Sequence, residues 1–296
     1  MLSTYLARQD WLEQQLDSVW EQVGVDVSLL VRDDGSPDDT ADRVARLIAG
    51  RPARLVRGEN VGPGRSFLLA LREADRGADY FAFCDQDDVW LPGKLQRAVN
   101  ALQELPPPAL YSARVEIVDE QLRHLGLHQL NRRGHSFANA LVQCSATGCT
   151  IVLDRAAAEL LAREFPKDHV LHDAWAYLVL TGCGNTVYDP ELVVRYRQHA
   201  SNVVGVAATG WGRWTGRLRR QLATGHQRVH TLQDRALARY YLQDLRPEAR
   251  AMLERHLEAA DGGILRRAAW GARGAPHRQD LPSDLVYRVL FALGRV

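Results

Sequence analysis

Nowhere in its 296 residues does the chain carry an apolar run of about 18 residues, so no segment reads as a membrane-spanning helix. Met1 to Asp10 lack the apolar stretch of a secretory leader. Cysteine is sparse: Cys84, Cys144, Cys149 and Cys183 show no Cys-x-x-Cys spacing. That argues against a zinc site or disulfide framework and for buried free thiols in a reducing cytoplasm. No internal repeat, low-complexity tract or nucleic-acid motif occurs, and Pro106-Pro107-Pro108 is only a short stiff connector. What remains is a chain with 46% apolar residues, an ordinary value for a soluble globular protein, long enough for one large α/β domain plus an appendage.

The most informative stretch present is Tyr80-Phe81-Ala82-Phe83-Cys84-Asp85-Gln86-Asp87-Asp88-Val89-Trp90. An apolar, aromatic run reads as a buried strand, and here it stops at three carboxylates within four residues. In open α/β sheets that carboxyl edge is where ligands bind. Clustered carboxylates repel one another unless a cation sits among them. A divalent metal bridging a diphosphate is the common remedy, since hard cations take oxygen ligands; a plain polar turn is the alternative. A second segment shares the design: Val27 to Val31 is β-prone and ends in Arg32-Asp33-Asp34-Gly35-Ser36-Pro37-Asp38. The Asp-Gly pair makes a turn, and Ser36 or Asp38 can cap a helix from about Asp39 to Ala49.

Further along, Leu12, Leu16, Val19 and Trp20 share one helical face. Arg54–Arg57, Ala109–Val118, Gly148–Leu153 and Thr186–Tyr196 (around Pro190) read as strands, and Ser66–Arg76, Ala156–Arg163 and His172–Leu180 as helices. This β-turn-α grammar predicts a mostly parallel sheet with one acid-loaded edge. The net charge of +1 hides an asymmetry. From Ala207 onward there are 16 Arg and 8 acids, hence +8, leaving −7 for the rest. The texture changes there too, to Arg-rich helical stretches such as Trp214–Leu222 and His226–Leu245, which places a boundary near residue 206.

Taken together, these segments resemble the family 2 glycosyltransferases with the GT-A fold, most closely the bacterial rhamnosyltransferase-like subgroup. The resemblance rests on Ser3-Thr4-Tyr5, Glu13 to Ser18, Asp33-Asp34-Gly35-Ser36, Asn60-Val61-Gly62 and Asp85-Gln86-Asp87-Asp88-Val89-Trp90. It continues through Thr147-Gly148-Cys149-Thr150, His172-Asp173, Tyr196-Arg197-Gln198-His199 and Asn202-Val203-Val204-Gly205. It covers residues 1–206, a GT-A domain, and leaves 207–296 as a helical extension with no motif. The resemblance implies transfer of a sugar, L-rhamnose first among the choices, from a dTDP- or UDP-sugar to a cell-surface polysaccharide or lipid-linked glycan. By the same resemblance Thr4 and Tyr5 line the base and Asp33 or Asp34 accepts from its N3–H. Asp85 and Asp87 form the pair that holds ribose and a Mg²⁺ or Mn²⁺ ion, with His199 as a third ligand or a diphosphate contact. Asp88 is a supporting or turn residue, and Arg65 supports phosphate, positions Asp85 or is simply solvated. Trp90 is a sugar-stacking platform, and Asp173 is the general base of an inverting displacement, with His172 either orienting it or packing. A basic extension beside a lipid-linked acceptor further implies peripheral contact with an anionic membrane at its cytoplasmic face and no nucleic-acid partner, with helix packing through the apolar stripe Leu232, Leu237, Tyr241 and Leu245 as the alternative.

Three departures accompany the resemblance. The chain begins almost at Ser3, where the family has a full first strand, so either the start lies upstream or an inner strand is mostly missing and core is exposed. Leu6-Ala7 replace the usual Asn-Gly after Tyr5, which would loosen the base-binding turn. Ala174-Trp175 stand where two aromatics are usual, which bears on acceptor packing. Two other readings are a catalytically inactive homologue serving as a partner subunit, suggested by the short start, and transfer of another hexose by the same site. An aspartate-nucleophile phosphotransferase is disfavoured, because Val89-Trp90-Leu91-Pro92 offers no hydroxyl after the acids.

Overall fold

The computed structural model describes residues 1–128, 130–168, 170–199, 229–273 and 276–295. The first half alternates strand and helix: β1 (Leu2–Thr4), α1 (Gln9–Trp20), β2 (Leu29–Asp33), α2 (Thr40–Leu47), β3 (Ala53–Arg57), α3 (Pro63–Glu73) and β4 (Tyr80–Ala82). Then come β5 (Val89–Trp90), α4 (Lys94–Gln103), β6 (Ala109–Val118), β7 (His124–Leu127), the short α5 (Phe137–Ala140), β8 (Val152–Asp154), α6 (Arg155–Arg163), α7 (His172–Cys183) and β9 (Asn185–Arg197). Four helices close the chain: α8 (Val229–Tyr241), α9 (Pro247–Ala260), α10 (Ile264–Ala272) and α11 (Leu281–Ala292).

Strands β1, β2 and β3 pair in parallel, with Thr4 level with Asp33 and Asp33 level with Arg57. A parallel bridge between Leu2 and Cys84 joins this unit to the second one, in which the order is β4-β8-β6-β9-β5. The expectation of a mostly parallel sheet holds for β3-β2-β1 and for β6–β9. It fails at β8, which is antiparallel to both β4 and β6, and at β5, antiparallel to β9. The expected strand from Gly148 is instead a 3₁₀ turn over Gly148–Thr150 followed by β8. That turn brings the chain back into the sheet from the acid edge, so β8 runs down against its neighbours. Pro190 interrupts β9 as expected: the register jumps from Asp189 opposite Ala113 to Leu192 opposite Arg114.

Two apolar layers cover the sheet, one built on α1, α2 and α4 and the other on α3, α6 and α7. Helix α7 is apolar all round and lies at the centre, with every residue from Trp175 to Gly182 buried. The C-terminal helices extend that layer. Leu237, Tyr241, Leu245 and Leu253 are core residues, and the Tyr241 hydroxyl lies 2.8 Å and 2.7 Å from the carbonyls of Leu160 and Glu164. Arg246 donates to the Thr181 carbonyl at 2.7 Å. Burying each such large side chain stabilises by roughly 1.5–3 kcal/mol, so the extension is docked on the sheet domain. The boundary expected near residue 206, the Asn202 to Gly205 string and the helix over Trp214–Leu222 lie outside the described residues.

β1 occupies three rungs between β2 and the Phe83-Cys84 backbone, with Leu2 and Thr4 fully buried. Beneath Met1, at the edge opposite the acids, a cavity of about 1160 Å³ opens between Leu29-Leu30 of β2 and Tyr80-Phe81-Ala82 of β4. The Met1 amino group donates to the Ala82 carbonyl at 2.7 Å, and burial pulls its pKa down to about 6.

Candidate active site

At the carboxyl edge of the sheet the ends of β1, β2, β4 and β9 meet the N-terminus of α7. Thr4, fully buried, donates its hydroxyl to Asp33 at 3.1 Å. Asp33 also accepts from the Ser36 backbone N–H at 2.9 Å and hydroxyl at 2.6 Å, closing the turn in which Gly35 holds φ +73°. Asp34 forms a buried ion pair with Arg32 and accepts from the N–H groups of Val61 and Gly62, the latter at 2.9 Å. Both carboxylates are therefore engaged by protein donors, and each is only 2% exposed. Tyr5, by contrast, is exposed.

The Asp85–Asp88 loop is tied to this corner by Gln86, whose side-chain amide exchanges two hydrogen bonds with the Tyr5 backbone, at 2.8 Å and 3.1 Å. Asp87 meets His199 across the loop, Oδ2 to Nε2 at 2.7 Å, and the imidazole stacks on Trp11 at 4.8 Å. Arg197, two residues earlier and 1% exposed, pins the loop from below. Its guanidinium donates to the Asp87 carbonyl at 2.8 Å, the Glu120 carbonyl at 2.5 Å and the Gln14 side chain at 2.6 Å. Its backbone N–H donates to Asp88 at 2.9 Å.

Asp88 points inward and is fully buried. Burial, then the Asp87 and Asp85 charges, raise its pKa well above the carboxylate range. Asp85 is pushed up to about 8, first by burial and then by the charges of Asp87 and Asp173. Lys94 opposes this. It is fully buried at the first position of α4, its Nζ 3.4 Å from the centre of the Trp90 ring, and burial pulls its pKa down to about 8.

Asp87 and His199 bring an oxygen and a nitrogen within 2.7 Å of each other, donor types that suit Mn²⁺ or Mg²⁺. Donor atoms of Asp85, Asp88 and Cys149 also lie within 4.8 Å of one another. Burial and the Asp88 charge hold the Cys149 thiol protonated, however, and Asp88 is occupied by the Arg197 N–H. The Asp87–His199 pair is also largely buried, with side chains 19% and 9% exposed.

Asp173 stands in the first turn of α7, where the helix dipole favours a carboxylate, and its Oδ1 accepts from the Ala174 N–H at 2.7 Å. Its charge is felt by Asp85. His172 beside it resolves as a packing residue. It is buried between Phe67 and Phe83, with ring centres 4.1 Å and 4.9 Å away, and burial lowers its pKa. Gly148 lets the 3₁₀ turn press on this helix start: a Cβ there would lie 2.7 Å from His172 Nε2.

Of the residues expected from sequence, Tyr5, Asp85, Asp87, Asp173 and His199 gather at the edge, with Thr4, Asp33 and Asp34 buttressing it from below. Arg65 sits half-buried near the start of α3, its Nε buried without a hydrogen-bond partner among the described residues. Trp90 is a correction. It is 4% exposed and part of the core, with Lys94 over its ring, so it presents no open face for a sugar. Sequence reasoning missed Gln86 and Lys94 and left Arg197 without a role. Lys94 carried a signal, since a cation opening a helix opposes the dipole unless acids lie nearby.

Comparison with known proteins follows this geometry. The model for glycosyl transferase family 2 matches residues 2–160. The dTDP-rhamnosyl transferase RfbG of Shigella flexneri is 28% identical over 219 residues, spanning 66% of this chain and 71% of its own. An uncharacterized glycosyltransferase of Nostoc, alr2836, is 25% identical over 279 residues, 89% of this chain and 81% of its own. Among solved structures, residues 1–349 of S. aureus TarS in complex with UDP-GlcNAc superpose with a TM-score of 0.59 over 98% of this chain and 80% of that one. At 14% identity this likeness shows the fold, the α/β sheet flanked by helices expected from the sequence.

Proposed function

The chain belongs to glycosyl transferase family 2, and on that premise we propose that it is a metal-dependent, inverting transferase that moves L-rhamnose from a dTDP- or UDP-activated donor to a glycan or lipid-linked glycan acceptor. Enzymatic sugar transfer follows from family membership. The choice of rhamnose is supported by the likeness to the Shigella flexneri dTDP-rhamnosyl transferase. The observation that carries the mechanism is the meeting of Asp85, the Asp87–His199 pair and Asp173 at one sheet edge.

Each residue has work matched to its place. Tyr5 covers the nucleobase, in a loop held by Thr4, Asp33, Ser36 and Gln86. Asp85 receives the ribose side, and Asp85, Asp87 and His199 would hold the divalent ion. When bound, that ion supplies Lewis-acid stabilisation of the charge growing on the leaving diphosphate. Arg65, with its Nε unpaired among the described residues, faces the same diphosphate. Asp173, at the N-terminus of α7, accepts the acceptor hydroxyl's proton as that oxygen attacks the sugar from the face opposite the diphosphate. A single displacement of this kind inverts the anomeric centre.

The test is nucleoside-diphosphate release from dTDP-rhamnose and from UDP-sugars, with Mn²⁺ or Mg²⁺ and after chelation. Release that is fastest with dTDP-rhamnose and stops on chelation is expected. Equal release with chelator present would remove the metal from the proposal, and preference for a UDP-hexose would remove rhamnose.

A further inference from the structure

The C-terminal pair α10 and α11 has too much apolar surface for the outside of a protein. Helix α11 buries Tyr287, Leu290 and Phe291 against the rest of the chain, as a surface helix should. Its opposite face is apolar as well: Leu281, Leu285, Val289 and Leu293 recur every four residues and are all more than half exposed. Helix α10, packed beside it, presents Ile264 and Leu265, the latter 83% exposed. No helix among the described residues is long and apolar enough to cross a membrane, so these residues are not part of a span.

The segment that forms this surface is net basic. Residues 262–296 contain six arginines (266, 267, 273, 278, 288 and 295) and two acids, hence +4. Both acids are turned to internal work. Asp280 caps α11 by accepting from the Ser283 N–H at 2.9 Å, and Asp284, 5% exposed, accepts from the Arg278 N–H and from Arg288. Arg273 and Arg295 are left on the exposed side, while Arg266, also exposed, pairs with Glu258 of α9 at 3.1 Å.

We propose that α10 and α11 form an amphipathic hairpin that lies on an anionic lipid bilayer, with Leu281, Leu285, Val289, Leu293, Ile264 and Leu265 entering the interface and the arginines meeting lipid phosphates. Apolar faces flanked by arginine bind such surfaces through buried area and charge together. Charge selects this occupant over a second copy of the chain. A two-fold interface through this face would bring both sets of arginines together and leave them repelling. The inference does not depend on which sugar is transferred.

Sedimentation of the full chain with vesicles tests it. Phosphatidylglycerol-containing vesicles should carry the protein down at low salt and release it at high salt, while pure phosphatidylcholine vesicles bind it weakly. A Leu285→Ser/Val289→Ser double variant should lose about tenfold in partition or more, and Arg273→Gln/Arg295→Gln a comparable factor on anionic vesicles alone. Circular dichroism establishes that each variant is folded; should the leucine pair unfold the hairpin, the arginine pair still decides the matter. No binding to anionic vesicles would overturn the proposal, as would binding unchanged in the arginine variant. A dimer in solution that the leucine variant dissociates would assign the face to a second copy instead.

Discussion

Arg197→Lys isolates the residue that holds the acid loop in place. The guanidinium makes three hydrogen bonds of 2.5–2.8 Å, to the Asp87 and Glu120 carbonyls and to Gln14. An ammonium keeps the charge and can satisfy one of these acceptors, but it lacks the planar fork that reaches all three. Two bonds from a charged donor are then lost, each worth about 1.5–3 kcal/mol, although the freed acceptors on Glu120 and Gln14 lie on exposed residues and can turn to water. Partial relaxation and the retained charge reduce the sum, giving an expected loss of about 3 kcal/mol in unfolding free energy. Because one of the lost partners is the Asp87 backbone, the variant should also lose at least about tenfold in kcat/KM, which corresponds to about 1.4 kcal/mol of transition-state stabilisation. Urea unfolding gives the first number and donor turnover at low temperature, where the variant is folded, gives the second. A lysine variant as stable and as active as the parent would refute the role assigned to Arg197.

Three further outcomes follow from the same structure. His135 lies against the rings of Tyr177 and Tyr188, and burial lowers its pKa to about 4, below its ordinary 6.5. A group that folds neutral stabilises fully above pH 6.5 and loses that contribution as pH falls towards 4, by up to about 3 kcal/mol. Urea unfolding of His135→Asn should accordingly show a shallower loss between pH 7 and pH 4 than the parent; parallel curves would contradict this. Leu6 sits at φ +48°, a left-handed conformation that costs a leucine about 1–2 kcal/mol. Leu6→Asn should raise stability by about 1 kcal/mol without weakening donor binding, and a lower melting temperature would show that the strain is absent. Gly148→Ala places a Cβ 2.7 Å from a histidine wedged between two phenylalanines, so a loss of about 1–3 kcal/mol and a drop in turnover through displaced Asp173 are expected. Unchanged melting would refute that close packing.

Much of this architecture was legible locally. The run from Tyr80 into Asp85, the strand Ala109–Val118 and the amphipathic α1 each carry their own periodicity, and the structure realises them with the ends moved by a few residues. The acid edge was legible for the same reason, since a buried strand must deliver the carboxylates that follow it to one side. What the sequence concealed depends on partners far along the chain. Arg197 looks like an alternating strand residue until it meets the Asp87 carbonyl, 110 residues away, and Gln86 looks like loop filler until it grips Tyr5, 81 residues away. Trp90 misled because an aromatic beside an acid cluster suits either a sugar or the core, and only its burial beneath Lys94 separates the two. The reversal at β8 hangs on a 3₁₀ turn whose residues, Gly148 to Thr150, are themselves compatible with a strand. Leu6, in the pair expected to loosen the base-binding turn, sits at φ +48°, a conformation that Asn tolerates better than leucine.

The central claim is that one carboxylate, Asp173, takes the acceptor's proton while Asp85 and Asp87 serve the donor. Asp173→Asn measured for both donor affinity and sugar transfer tests it most directly, because the amide keeps the size and the helix-start position but cannot accept a proton. The account predicts donor affinity within about twofold of the parent and transfer reduced about 10²–10⁴-fold. Transfer that survives in Asp173→Asn, with Asp87→Asn inactive beside it, would contradict the account and move the base to another residue.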